Sequence, residues 1–275
     1  MTSSEALNWG LEKLSTSIST SPSLDSEVLL CSVLKWSKAD LISNRKEQID
    51  PIKLEKYMDL IKERAKGIPV AYLTGFKEFY GLKFKVNKHV LIPRPETETL
   101  IERITFELKN RNSLRILDIG TGSGCIIVTL AKKLSNTNHY FGSDASQRAL
   151  GVAEENAALH NVKVKFIRSD LTRTTGTDYD LIIANLPYLA GIEDESIKFE
   201  PKSALIAKKD GLELYEKLFK EISDSGHKPL LFLEFGHDHE LPIRKLVAEY
   251  LPGSQIEIFR DLSGIPRFAR IWQKA

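Results

Sequence analysis

The sequence has few cysteines and no long apolar segment. Its two cysteines, Cys31 and Cys125, form no C-x-x-C pair, which excludes a disulfide framework and a zinc ribbon. Its longest apolar runs, such as 230–235, which Glu234 interrupts, are far shorter than the roughly 18 residues that a membrane helix requires. The first ten residues contain neither a basic start nor an apolar stretch, so we expect no signal peptide and a cytoplasmic protein.

No charge of one sign dominates the chain of 275 residues. It carries 39 Lys and Arg against 37 Asp and Glu, so we expect no direct nucleic-acid partner of the kind that wraps a basic surface. The six histidines form no H-E-x-x-H or similar ligand cluster, so no metal site is predicted. No heptad repeat or apolar surface stripe is present, and we therefore expect a monomer.

Apolar residues at helical spacing dominate residues 1–75. The segments 4–14, 23–34 and 52–65 each carry such a stripe, and the third begins at Pro51 and ends before Gly67. We predict a small N-terminal helical bundle. Apolar residues then alternate with lysines over 82–86, beside Gly81, which predicts a β-hairpin within a linker of residues 76–95.

Strand and helix patterns alternate through residues 96–275, after a first helix over 96–108. This alternation predicts an α/β domain with a seven-stranded, mostly parallel sheet covered on both faces, whose last two strands form an antiparallel hairpin. The predicted helices are 125–133, 146–160 and 212–223. The predicted strands are 115–118, 140–143, 164–168, 179–184, 230–234, 255–260 and 267–272.

A glycine-rich turn, Asp118-Ile-Gly-Thr-Gly-Ser-Gly124, joins the first of these strands to a helix. Glycines permit close approach of a ligand, and the following helix N-terminus offers unpaired N–H groups. The spacing of the glycines departs from the dinucleotide pattern G-x-G-x-x-G, which weakens the hypothesis of a dehydrogenase. A phosphate-binding loop is also not indicated, because Cys125 and Ile126 occupy the positions where it needs Lys and Ser or Thr. Asp118 would also repel a phosphate.

Acidic residues follow the next two strands of the predicted sheet. Asp144 could accept hydrogen bonds from both hydroxyls of a ribose, and Asp170 could meet an adenine amino group. Three carboxylates without a phosphate anchor favour a cationic nucleoside. The pattern therefore predicts S-adenosyl-L-methionine, which carries an ammonium and a sulfonium.

The loop Asn185-Leu186-Pro187-Tyr188 follows the fourth predicted strand, beside this ligand. The Asn185 side-chain oxygen and the Leu186 carbonyl can each accept one N–H of an NH₂ group, which orients a nitrogen toward a methyl donor. Pro187 favours an extended conformation at Leu186, and Tyr188 offers a flat face for stacking. We predict that these four residues form the catalytic and substrate-binding loop.

The sequence resembles the HemK/PrmC family of protein-(glutamine-N5) methyltransferases, which act on peptide chain release factors. The segments that carry the resemblance are 67–75 (GIPVAYLTG), 79–81 (FYG), 92–98 (IPRPETE), 118–124, 185–188, 199–201 (FEP), 210–215 (DGLELY), 234–236 (EFG) and 260–264 (RDLSG). The resemblance implies a Rossmann-like methyltransferase domain over 96–275, a release-factor-docking domain over 1–75 and, as substrate, the glutamine of a Gly-Gly-Gln motif. It implies cofactor contacts by Gly120, Thr121, Gly122, Ser123, Gly124, Asp144, Leu171 and Asn185, with Asp118 and Asp170 as neighbours.

Leu186 departs from the family, which usually has proline there. The carbonyl is retained, but the fixed φ of proline is lost. The loop also resembles that of rRNA adenine dimethyltransferases, so an adenine-N6 methyltransferase acting on RNA or DNA stays open as an alternative. A non-catalytic module that senses the cofactor or binds a translation factor is a third hypothesis.

Overall fold

A computed structural model of the chain describes residues 1–189, 191 and 197–273. The chain divides into two compact units. One unit holds residues 1–76 together with the described residues 197–199, and the other holds 77–189, 191 and 200–273. In these described parts, no helix is long and apolar enough to span a membrane.

The first unit is helical, as the apolar periodicity predicts. The helices are α1 (Ser3–Ser15), α2 (Pro22–Leu34), α3 (Lys38–Ser43), α4 (Pro51–Ala65) and α5 (Val70–Thr74). The three predicted helices are confirmed as α1, α2 and α4, whereas α3 and α5 span too few residues to show a repeating apolar stripe. Asp50 begins α4 by accepting hydrogen bonds from the backbone N–H groups of Ile52 and Lys53.

A buried tyrosine hydroxyl joins the main helices of this unit. The Tyr57 hydroxyl lies 2.7 Å from the Ser26 hydroxyl and donates to the Ala6 carbonyl at 3.2 Å. A Cβ at Gly10 would lie 2.0 Å from the Tyr57 hydroxyl oxygen, so only glycine permits this approach of α1 to α4.

The predicted hairpin comprises β1 (Phe76–Phe79) and β2 (Leu82–Lys85). Tyr80 and Gly81 both have positive φ, which suits a tight hairpin turn. Residues 86–94 lie within the described part of the chain and form no strand, so the hairpin occupies residues 76–85 of the predicted linker.

The second unit contains a seven-stranded sheet in its described residues. Its strands are β3 (Arg115–Ile119), β4 (His139–Asp144), β5 (Val164–Arg168), β6 (Leu181–Asn185), β7 (Leu230–Glu234), β8 (Ser254–Arg260) and β9 (Pro266–Gln273). The order is β5-β4-β3-β6-β7-β9-β8, with β9 antiparallel to both of its neighbours and the other pairs parallel. The predicted Rossmann-like sheet and its closing hairpin are confirmed.

Helices cover both faces of this sheet. They are α6 (Glu98–Leu108), α7 (Cys125–Lys133), α8 (Gln147–Leu159), α9 (Glu213–Ser225) and α10 (Glu240–Tyr250). Along β6, Leu181 and Ile183 pack into one core, and Ile182 and Ala184 pack into the other. Helix α10 was not predicted, because Pro242 and the polar residues before it are typical of a loop; this proline lies in the first turn of the helix, where its missing N–H costs little.

Candidate functional site

A cavity of about 460 Å³ lies at the carboxyl ends of the parallel strands, where the strand order reverses between β3 and β6. This is the usual ligand position in an open α/β sheet, and the volume suits a small-molecule ligand. Its described lining residues from the predicted site are Gly120, Gly122, Asp144, Asp170, Leu171, Asn185, Leu186 and Pro187.

The glycine turn approaches the loop that follows β6. Gly120 has φ +70°, and a Cβ there would lie 3.3 Å from a methyl carbon of Leu186. Gly124 has φ +77°, and its Cβ would lie 3.1 Å from that of Ala153 on α8. Glycine therefore gives the turn both its left-handed conformation and its close packing.

Asp144 connects this turn to the end of β4. Its carboxylate accepts hydrogen bonds from the backbone N–H of Gly122 at 3.0 Å and from that of Ser146 at 2.8 Å. Burial raises the pKa of Asp144, and these two hydrogen bonds oppose the rise. Asp144 therefore shapes the turn as well as lining the cavity.

Asp118 lies under the turn and is 1% exposed. One carboxyl oxygen accepts a hydrogen bond from the Thr121 hydroxyl at 2.6 Å, and the other has no hydrogen-bond partner among the described residues. Burial raises the pKa of Asp118 to about 7. A buried carboxyl with an unused acceptor beside a glycine turn fits a cationic ligand such as S-adenosyl-L-methionine.

Other predicted cofactor residues are buried within the glycine turn and do not line the cavity. Thr121, Ser123 and Gly124 are buried and, like Asp118, are not among the described residues that line the cavity. The Ser123 carbonyl accepts a hydrogen bond at 2.9 Å from Asn156, whose side chain also bonds the N–H and the carbonyl of Lys85. Asn156 thus fixes the hairpin beside the glycine turn.

Asp170 and Leu171 line the cavity beyond the end of β5. The Asp170 side chain is 51% exposed and binds the Lys217 ammonium at 2.6 Å. Leu171 has φ +50°, and its carbonyl accepts a hydrogen bond from the Ser169 hydroxyl at 2.8 Å. If Asp170 binds adenine, its carboxylate therefore binds both the adenine and the Lys217 ammonium.

Asn185 ends β6 and pairs in register with Glu234, which ends β7. The Glu234 side chain is buried, accepts a hydrogen bond from the Thr97 hydroxyl at 2.7 Å and is hydrogen-bonded to the Asn185 amide. Burial raises the pKa of Glu234 to about 7, Glu96 adds to the rise, and Arg267 opposes it. An amide that donates to Glu234 has its side-chain oxygen available on the other side.

Tyr188 is held mainly by neighbours outside the cavity. Its ring packs edge-to-face on His239 at 6.4 Å between centroids, and burial raises its pKa to about 12. Its carbonyl would lie 2.0 Å from a Cβ at Gly211, so the loop requires glycine there. Stacking of a substrate on Tyr188 stays a prediction.

Two walls of the cavity were missed by sequence reasoning. They are formed by His89, Val90 and Leu91, and by Ser203 and Ala204. The buried carboxylate of Glu200 accepts hydrogen bonds from the Ile92 N–H at 2.9 Å and from Arg94 at 2.6 Å. The signal was present in the segments 92–98 and 199–201, which carry the family resemblance without an assigned role.

Comparisons with known families and proteins identify relatives of this chain. Residues 5–75 match the PrmC N-terminal domain family, and residues 96–206 match the methyltransferase small domain family. Curated relatives named "Release factor glutamine methyltransferase" include one from Coxiella burnetii, 37% identical over 92% of each chain. Another, from Bacillus cereus, is 34% identical over 88% of this chain and 89% of its own.

Solved structures share the fold. The ribosomal protein L11 methylase of Lactobacillus delbrueckii subsp. bulgaricus has a TM-score of 0.50 and 20% identity, covering 69% of this chain and 84% of that one. The catalytic domain of hMettl16 has a TM-score of 0.58 and 15% identity, covering 84% and 85%. The chain therefore belongs to the family of release factor glutamine methyltransferases, and it is a methyltransferase that uses S-adenosyl-L-methionine.

Proposed function

We propose that the protein transfers a methyl group from S-adenosyl-L-methionine to the side-chain amide nitrogen, N5, of the glutamine in the Gly-Gly-Gln motif of peptide chain release factors. The observation that carries this proposal is that Asn185 and Leu186 both line the cavity beside the glycine turn. Two hydrogen-bond acceptors at this place suit the two N–H groups of a primary amide. The names of the curated relatives support the same substrate.

Residues around the cavity would hold the cofactor. Gly120 and Gly122 offer a close backbone approach, Asp144 offers acceptors for hydroxyl groups, and Asp118 offers a buried counter-charge for an ammonium. Leu171 lines the side at the end of β5. When bound, the cofactor supplies an electrophilic methyl group on a sulfonium.

The Asn185–Tyr188 loop would supply orientation to the substrate nitrogen. An amide nitrogen is a weak nucleophile because its lone pair is delocalised into the carbonyl group. The Asn185 side-chain oxygen and the Leu186 carbonyl would accept its two N–H bonds, directing the lone pair at the methyl carbon and favouring the positive charge that develops on nitrogen.

Mass spectrometry of a release factor after incubation with the protein and the cofactor tests this proposal. We expect the mass gain of one methyl group on the motif glutamine, and no gain when that glutamine is replaced by alanine. Asn185→Ala should abolish the transfer while cofactor binding, measured by calorimetry, is retained. Methylation of RNA with an unmodified release factor would overturn the proposal.

The adenine-N6 alternative is not favoured, because the curated relatives over most of the chain are named for glutamine methylation.

We further propose that residues 1–75 dock the release factor, that residues 76–95 link this domain to the methyltransferase domain of 96–275, and that the protein acts as a cytoplasmic monomer. Light scattering of the protein alone and with a release factor tests the stoichiometry.

A further inference from the structure

The hydroxyl of Tyr215 lies at the centre of three backbone contacts. Tyr215 is on α9, is fully buried, and accepts a hydrogen bond from the Leu186 N–H at 3.2 Å. The same oxygen lies 3.3 Å from the Leu186 carbonyl oxygen and closest of all to the Glu234 carbonyl oxygen. One phenol group thus connects the end of β7 to the residue that follows β6.

The Tyr215 hydroxyl has one proton and can therefore donate one hydrogen bond. Its closest acceptor, the Glu234 carbonyl, receives this hydrogen bond. The Leu186 carbonyl, at 3.3 Å, is the more distant of the two acceptors of this hydroxyl. The Leu186 N–H remains bound to the phenol oxygen, which fixes the orientation of the peptide unit.

This N–H exists because residue 186 is leucine. A proline would fix φ by its ring and would have no N–H to donate. In this chain, a hydrogen bond to Tyr215 restrains the same peptide unit by another means. Glu234 contributes a second restraint, because its side chain is hydrogen-bonded to the Asn185 amide while its carbonyl accepts from Tyr215.

We propose that Tyr215 is a positioning residue of the transfer reaction: its hydroxyl holds the Leu186 peptide, with Glu234 holding the Asn185 amide, so that both acceptor oxygens face the substrate nitrogen. This inference rests on the proposed function, in which those two oxygens orient an amide. It assigns Tyr215 no contact with the substrate or the cofactor.

Tyr215→Phe tests the role because it removes the hydroxyl and keeps the ring. We expect kcat for methylation of a release factor to fall about tenfold, with the KM values for both substrates within about twofold of the wild type. The matched control is Tyr140→Phe, which removes the hydroxyl of another buried tyrosine, one that donates to the Ser135 carbonyl at 2.8 Å. That variant should lose thermal stability and keep kcat, so an equal loss of kcat in both variants would refute a specific role of Tyr215.

Leu186→Pro completes a double-mutant cycle. Asn185 ends a strand, and extended backbone is what a following proline requires, so the variant should fold. Because the proline has no N–H, Tyr215→Phe should cost only about twofold to threefold in kcat in this background. A full tenfold loss in both backgrounds would show that the Leu186 N–H has no part in the effect and would overturn the proposal.

Hydrogen exchange at the Leu186 amide, followed by NMR in protein labelled with ¹⁵N-leucine, separates this inference from the proposed function. Exchange should be about tenfold faster in Tyr215→Phe and unchanged in Tyr140→Phe, whether or not a release factor is methylated. If exchange is faster in Tyr215→Phe but the wild-type protein does not methylate a release factor, the result counts against the proposed substrate alone. Unchanged exchange in Tyr215→Phe would refute the positioning contact even in an active enzyme.

Discussion

At the scale of single residues, two buried carboxyl groups lie at different places beside the cavity. Asp118 lies under the glycine turn, and Glu234 lies behind Asn185; burial raises the pKa of each to about 7. The two groups therefore change charge in the same pH range. They have different partners, because Asp118 accepts a hydrogen bond from Thr121 in the glycine turn and Glu234 is hydrogen-bonded to the Asn185 amide.

The pH dependence of kcat should follow Glu234. Below pH about 7 its carboxyl becomes protonated and loses acceptor capacity toward Asn185, so kcat at saturating cofactor should fall. Arg267 and Glu96 are the charged groups that also act on it. We expect this fall to disappear in Glu234→Gln, measured as kcat between pH 5.5 and 8.5, while the pH dependence of the cofactor KM, which reports Asp118, is kept.

The free energy of unfolding should also depend on the titration of Glu234, and it should fall as the pH rises. A carboxyl whose pKa is raised in the folded state binds more protons when folded, so its contribution to stability is full below pH about 4.5 and is lost as the pH rises through about 7. Relative to wild type, Glu234→Gln should therefore gain up to about 3 kcal/mol in the free energy of unfolding between pH 4.5 and 8. Urea unfolding at several pH values measures it, and a difference that is constant with pH would contradict the buried titration.

Asp144 should separate cofactor binding from chemistry. In Asp144→Asn the charge is lost and one side-chain atom becomes a donor facing the Gly122 or Ser146 N–H. The cofactor dissociation constant should rise about tenfold or more, with a smaller change of kcat at saturation. Calorimetry with S-adenosyl-L-methionine checks this, and Asp178→Asn, at an exposed position, serves as the control.

At the scale of elements, the glycine turn depends on how closely α7 and α8 approach. Gly124 precedes α7 as its N-cap in the left-handed conformation, and Ala153 on α8 fills the space that a side chain would need. The turn conformation is therefore coupled to helix packing on the same face of the sheet.

Two glycine substitutions should have opposite effects. Gly124→Ala combines positive φ with a 3.1 Å contact, so we expect a loss of about 1–3 kcal/mol in the free energy of unfolding and weaker cofactor binding. Gly151→Ala lies within α8 in open space and should gain about 0.5–1 kcal/mol. Thermal and urea unfolding of both variants check the pair; equal effects would show that packing at the turn is unimportant.

At the scale of the whole molecule, each compact unit has its own apolar core. Tyr57, Leu29 and Ile61 are fully buried in the helical unit, whereas the sheet unit has cores on both faces. A loss of packing in one core is therefore expected to remain local.

Tyr57→Phe tests this independence. Removing its hydroxyl leaves buried partners unsatisfied, so the helical unit should lose about 1–2 kcal/mol of stability. Hydrogen exchange should accelerate in α1, α2 and α4, while amides of β6 and β7 keep their rates. Acceleration throughout the sheet would mean that the two units unfold together.

Much of this protein follows from local sequence patterns. Helical stripes, strand alternation and Pro51 predicted most of the elements, because these signals depend on neighbours within a few residues. The glycine turn and the segments of family resemblance led to the cofactor. Helix α10 and the short helices were missed because their local signals are weak or contradictory.

Only the tertiary structure brought the positioning groups together. Thr97 meets Glu234 across 137 residues, and Tyr215 meets Leu186 across 29. Glu234 faces Asn185 because β6 and β7 are adjacent in register, and the residues His89–Leu91 form a wall because Asn156 and Glu200 fix the chain on either side of them. Sequence periodicity sets which face of an element is buried, whereas strand order and register set which distant side chains meet.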